Sequence, residues 1–148
     1  MWYPTHSAAY YTSITGGRFT ETSCLGTLSL SKEFQKENNT YQNPFGTEVA
    51  MYKTSEGGIS RMAVSWDMKD AHGEKGRVYG QQSYKKAKID GRRPALPPGV
   101  GGGGHGGSHG HLTNNFIESI LLDTQPIVGI GDALNMTLSG VIAHKSAL

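Results

Sequence analysis

Hydrophobic and polar residues alternate with a period of two through the first half of the chain and take up helical spacing near its two ends. The opening segment, YPTHSAAYYTSITGG, sets Pro4 and Thr5 at a helix N-terminus and Gly16 and Gly17 as a helix-ending pair, which predicts a short helix over roughly residues 5–14. RFTETSCLGTLSL then places Phe19, Thr22, Cys24 and Leu28 among β-favouring residues and predicts a strand. The polar tract over 31–44 reads as an exposed loop. Two further runs, TEVAMYKTS and ISRMAVSWDM, flank Glu56, Gly57 and Gly58 and predict a hairpin. In the second run Met62, Val64 and Trp66 point to one face and Arg61, Ala63 and Ser65 to the other, as in a half-buried antiparallel strand. GRVYGQQSYKKAKI, with Val78, Tyr79 and Tyr84, is compatible with a fourth, more polar strand.

The last third changes period. Leu112, Phe116, Ile117, Ile120 and Leu121 share one face of a helix that Pro126 must end, and Asp132 is placed to cap a second helix with Leu134, Leu138, Val141 and Ile142 as its apolar stripe. The expectation is an α+β fold: a mostly antiparallel sheet with helices packed on one face.

A length of 148 residues suits a single domain, 1–148, interrupted by a Pro/Gly/His-rich crossover loop at 94–111. Hydrophobic residues make up only 36%, and eight of the 21 glycines fall between Gly99 and Gly110, so the rest of the chain is closer to ordinary folded composition. Lys plus Arg number 14 against 12 Asp plus Glu, a net charge of +2 that argues against a charge-driven nucleic-acid binder. One cysteine, Cys24, forms no internal disulfide and makes a reducing, cytoplasmic setting the default, with an export signal ahead of Met1 the alternative. No run approaches the length of a membrane span.

The candidate chemistry is sparse. Gly99, Gly101 and Gly104 satisfy GxGxxG, but in so glycine-rich a tract, away from a hydrophobic strand, the match carries little. His105, His109 and His111 lie close enough to act as acid, base or metal ligands, yet no second ligand cluster follows, so polar lining of a pocket or a solvated loop is the better reading and no metal is expected. His6 sits on the first predicted helix with Tyr3, Tyr10 and Tyr11 nearby. The basic run Lys85 to Arg93 reads as solvated surface, and no Ser-His-Asp order, P-loop or HExxH occurs.

Taken as strings, MWYPTHSAAYYTSITGGRFTETSCLG, PFGTEVAMYKTSEGGISRMAVSWDM, GEKGRVYGQQ and GGHGGSHGHLTNNFIESILLDTQP with DALNMTLSGVIAHKSAL resemble, in order, the C-terminal half of the Gfo/Idh/MocA (glucose-fructose oxidoreductase and inositol dehydrogenase) family. The resemblance implies a two-domain NAD(P)-dependent sugar oxidoreductase, of which this chain corresponds to the substrate-side and oligomerisation half. It implies that the Rossmann domain holding NAD or NADP and the segment with the catalytic lysine are missing partners, so the isolated chain binds no cofactor and turns over no substrate. His6 matches the family's catalytic histidine, with Trp2 where the D-x-x-x-H pattern has its aspartate. Tyr3, His105 and His109 are implied on the sugar-binding side, and no cofactor-binding residue falls in this chain. The expected partners are a second copy through the sheet and a sugar or sugar derivative, with neither nucleic acid nor membrane. Two alternatives accompany this reading: a stand-alone, non-catalytic binding or assembly domain, and part of an NAD-dependent glycosidase of the same superfamily.

Overall fold

The structure, a computed structural model, describes residues 3–67, 95–104 and 107–148. Its described elements run α1 (Pro4–Thr15), β1 (Phe19–Leu28), two single 3-10 turns, β2 (Phe45–Thr54), β3 (Ile59–Ser65), α2 (Ser108–Leu121) and α3 (Ile130–Ala147). The predicted fourth strand lies outside the described residues. The chain divides into two compact units, one of residues 1–77 with 130–148 and one of residues 78–129.

In the first unit the strands form an antiparallel sheet in the order β1-β2-β3. The β2–β3 turn closes through Gly58, whose carbonyl accepts from the Thr54 N–H at 3.0 Å, and Gly57 takes a positive φ of 82° that a side chain would oppose. Register places Cys24, Ala50 and Met62 side by side, with Thr22, Tyr52 and Ser60 in one neighbouring row and Gly26, Glu48 and Val64 in the other. This face is covered by α1 and α3, and Cys24, Ala50, Tyr52 and Met62 are buried there with Ala8 of α1 and Ala143 of α3. The fold is therefore α+β with helices on one face of an antiparallel sheet, as the periodicity predicts.

α3 departs from its predicted orientation. Its apolar stripe, Leu134, Leu138, Val141 and Ile142, stays about half exposed, while Ser139, Gly140 and Ala143 face inward. The reason is the crossing with α1: a Cβ at Gly140 would overlap Pro4, so only the small-residue side of α3 can approach that closely. The helix also begins at Ile130, so Asp132 lies in its first turn rather than at its cap. Two side chains of α3 reach the outer edge of β1, where Asn135 Oδ1 accepts from the Phe19 N–H at 3.2 Å and Ser146 Oγ from the Cys24 N–H at 3.2 Å. An edge strand that would otherwise present unpaired backbone groups is thereby partly closed.

The second unit contains α2, whose Leu112, Phe116 and Ile120 are exposed. It ends at Leu121, before Pro126, through Asp123 at a φ of 50°. The glycines before it and in its first turn make close backbone contacts rather than a slack linker. The Gly110 N–H donates to the Gly102 carbonyl at 2.7 Å, and a Cβ at Gly110 would stand 2.5 Å from the Gly101 oxygen. Among the described residues no helix is long and apolar enough to cross a membrane.

Candidate functional site

His6 and Tyr3, the two candidates at the start of the chain, come together at the N-terminus of α1. Their rings are 5.7 Å apart at 51°, and both side chains are exposed. Pro4 occupies the first helical turn, which its fixed φ suits. Tyr3 in front of it is forced into the left-handed region, φ 45° and ψ 52°, with no side-chain cap. A bulky residue before proline avoids that region, and holding it there costs on the order of 1–3 kcal/mol. The packing of α1 on α3 and β3 must supply that energy.

Trp66, which the sequence pattern places on the same strand face as Met62 and Val64, stands just past the end of β3 and packs at the start of α1, the helix that contacts β3. Its ring lies 5.6 Å from Tyr3 at 47° and 5.6 Å from Phe34 at 37°, so His6, Tyr3, Trp66 and Phe34 form a continuous series. The backbone beneath is fixed. The Trp66 N–H donates to the Gly46 carbonyl at 2.9 Å, and Asp67 Oδ1 accepts from the Ser29 hydroxyl at 2.9 Å. In the sequence Trp66 is marked only as the last apolar position of an alternating run, which says nothing of its contacts with Tyr3 and Phe34.

His109 belongs to the second unit, in the first turn of α2, where its ring lies against Gly103 and Gly104. His105 lies outside the described residues, as does Trp2. Among the described residues no three His, Cys, Asp or Glu side chains come together as metal ligands.

One polar pair was invisible to sequence reasoning. Glu48 on β2 is 2% exposed, and its Oε1 lies 2.9 Å from His144 Nδ1 on α3. The pair ties the last helix to the central strand, and the Phe45 ring meets the His144 imidazole in a T-shaped contact. Nearby, burial pushes the Cys24 thiol above its ordinary range, and the Glu48 carboxylate adds to the effect. Burial likewise raises the Tyr52 phenol to about 12, and its hydroxyl donates to the Ser139 carbonyl at 3.2 Å. These groups are poorly placed to ionise and serve as core. At the opposite end of the sheet, a hydrogen bond from the Tyr11 hydroxyl holds the exposed Glu56 carboxyl below the usual range.

The arrangement thus offers an exposed imidazole beside a fixed aromatic surface, which suits proton exchange with a hydroxyl-bearing ligand resting on the rings. No family model, curated protein or solved structure matches the chain.

Proposed function

We propose that this chain is the substrate-side and assembly half of an NAD(P)-dependent sugar oxidoreductase of the Gfo/Idh/MocA type, inactive without a nucleotide-binding domain, and that it self-associates through the open face of its sheet. Two things support the chemical part: the resemblance of its motifs to that family, and the exposed position of His6 beside Tyr3. His6 is the acid/base candidate, exchanging a proton with a sugar hydroxyl while the nicotinamide of the missing half supplies the redox chemistry.

The observation that carries the assembly part is the face turned away from α1 and α3. There the register aligns Leu25, Val49 and Ala63 in one row and Ser23, Met51 and Arg61 in the next. Leu25 is 80% exposed and Ile59 71%, with Val49 and Met51 also open to solvent. A hydroxyl pair, Thr47 and Ser65 at 2.6 Å, and an ion pair, Lys53 and Glu21 at 2.8 Å, bound this apolar centre on opposite ends. An apolar middle with a polar rim is the anatomy of a protein interface.

Size sets the strength. Seven paired residues on three strands span a projected area of about 300 Å², against the ~800 Å² per partner of a stable complex. Contact through these strands alone is therefore weak, and a tight dimer requires further surface. Sedimentation velocity over rising concentration tests the proposal. Wild type should shift toward a dimer near millimolar concentration, and Val49→Lys should remain monomeric with an unchanged melting temperature. A wild type that stays monomeric throughout, or a Val49→Lys variant that associates equally, refutes it.

The same open face also suits a stand-alone assembly domain without chemistry. That reading requires His6 to be dispensable, so loss of turnover in His6→Ala of an enzyme reconstituted with its nucleotide domain would count against it.

A further inference from the structure

We infer that Trp66 and Tyr3 together form a platform that stacks the apolar face of a pyranose ring, which makes Trp66 a substrate-positioning residue. The inference rests on the sugar-site reading above and adds to it a residue that neither the motifs nor the strand pattern single out.

Trp66 is fixed yet uncovered. It is 45% exposed, although its own N–H is bonded to Gly46 and the neighbouring Asp67 is bonded to Ser29. Phe34 supports the indole from one side at 5.6 Å. An exposed tryptophan on a mobile segment is ordinary surface, whereas one held by its backbone and by a second ring has given up its rotational freedom before any ligand arrives. Tyr3, 60% exposed, meets it at 47°. A parallel stack would use up a face of each ring on the other, but a tilt of this size leaves area on both. Tyr3 is also the residue held in an unfavourable backbone conformation, so its ring is aimed by the fold rather than by local preference.

The chemistry favours a sugar over a purely aliphatic ligand. A pyranose presents axial C–H groups on one face and hydroxyls around its edge. The two ring faces suit the first, and the Tyr3 hydroxyl and the His6 imidazole, 5.7 Å from the Tyr3 ring, suit the second.

Saturation-transfer NMR on the full chain tests this, using methyl α-D-glucopyranoside, methyl β-D-galactopyranoside and N-acetyl-D-glucosamine as probes and sorbitol as the acyclic control. At least one pyranose should receive saturation, strongest on its ring C–H protons, and sorbitol should receive little. Trp66→Ala should reduce the transfer at least fivefold, and Trp66→Phe, which keeps a ring, should restore part of it. Circular dichroism of each variant verifies that the chain is folded. Equal transfer in wild type and Trp66→Ala overturns the platform and leaves the sugar-site reading intact. Absence of transfer from wild type to every pyranose overturns both.

Discussion

Tyr52 shows how a single residue ties the core to a measurable property. It is 1% exposed, packs tilted against Phe19 with ring centres 4.7 Å apart and bonds across to α3 through its hydroxyl. Its ionisation in the folded chain is displaced to about 12 by burial, above the ordinary value of 10. The folded state therefore keeps the proton after the unfolded chain has lost it. The resulting stabilisation is complete below pH 10 and disappears as pH rises through about 12. That displacement corresponds to roughly 2–3 kcal/mol. Urea unfolding at pH 9 and at pH 11.5 should show a loss of that order, and Tyr52→Phe should lose distinctly less over the same interval. Equal losses would show that other groups set the alkaline limit. At this scale the proximity of Tyr3 and His6 was legible, because they lie within one helical turn. The sequence placed Trp66 on a strand face but did not reveal its contact with Tyr3, nor the Glu48–His144 pair whose members are 96 positions apart. Contacts of that separation leave no local periodicity to read.

Among the elements, α1, β1 and the β2–β3 hairpin were the most legible. Glycine pairs mark the helix end and the turn, and alternation of period two fixes which strand residues share a face. α3 was legible as a helix but not in orientation. Hydropathy ranks Leu134, Leu138 and Ile142 above Ser139, Gly140 and Ala143, yet close approach to Pro4 selects the small residues for the interface. Gly140→Val should therefore cost about 2–3 kcal/mol, because it forces α1 and α3 apart at their crossing. Gly131→Val, on the same helix where a Cβ meets open space, should cost no more than about 1 kcal/mol. Thermal unfolding of the two variants compares them directly, and similar losses would mean that the crossing is not tightly packed. The glycine tract before α2 follows the same rule, since its composition suggests slackness but Gly110 lets two backbone segments touch.

For the whole molecule, the asymmetry of the sheet matters most. One face is closed by α1 and α3 around Cys24, Ala50 and Met62, and the other presents Leu25, Val49, Met51 and Ile59 to solvent. Sequence alternation shows that the strands have two different faces. It does not say which one the helices cover, because Met62 and Val64 on one side and Val49 and Met51 on the other are similarly apolar. That ambiguity is itself informative: a sheet with apolar residues on both faces has a second surface to bury. The most direct test of burial on association is the oxidation of single methionines by dilute peroxide, followed by mass spectrometry at low and high protein concentration. Met62, 5% exposed in the core, should react slowly at both and serves as the internal reference. Met51 should react quickly in dilute solution and severalfold more slowly when concentrated, as the open face closes on a second copy. A Met51 rate that is the same at every concentration would contradict the account and leave this face as free surface.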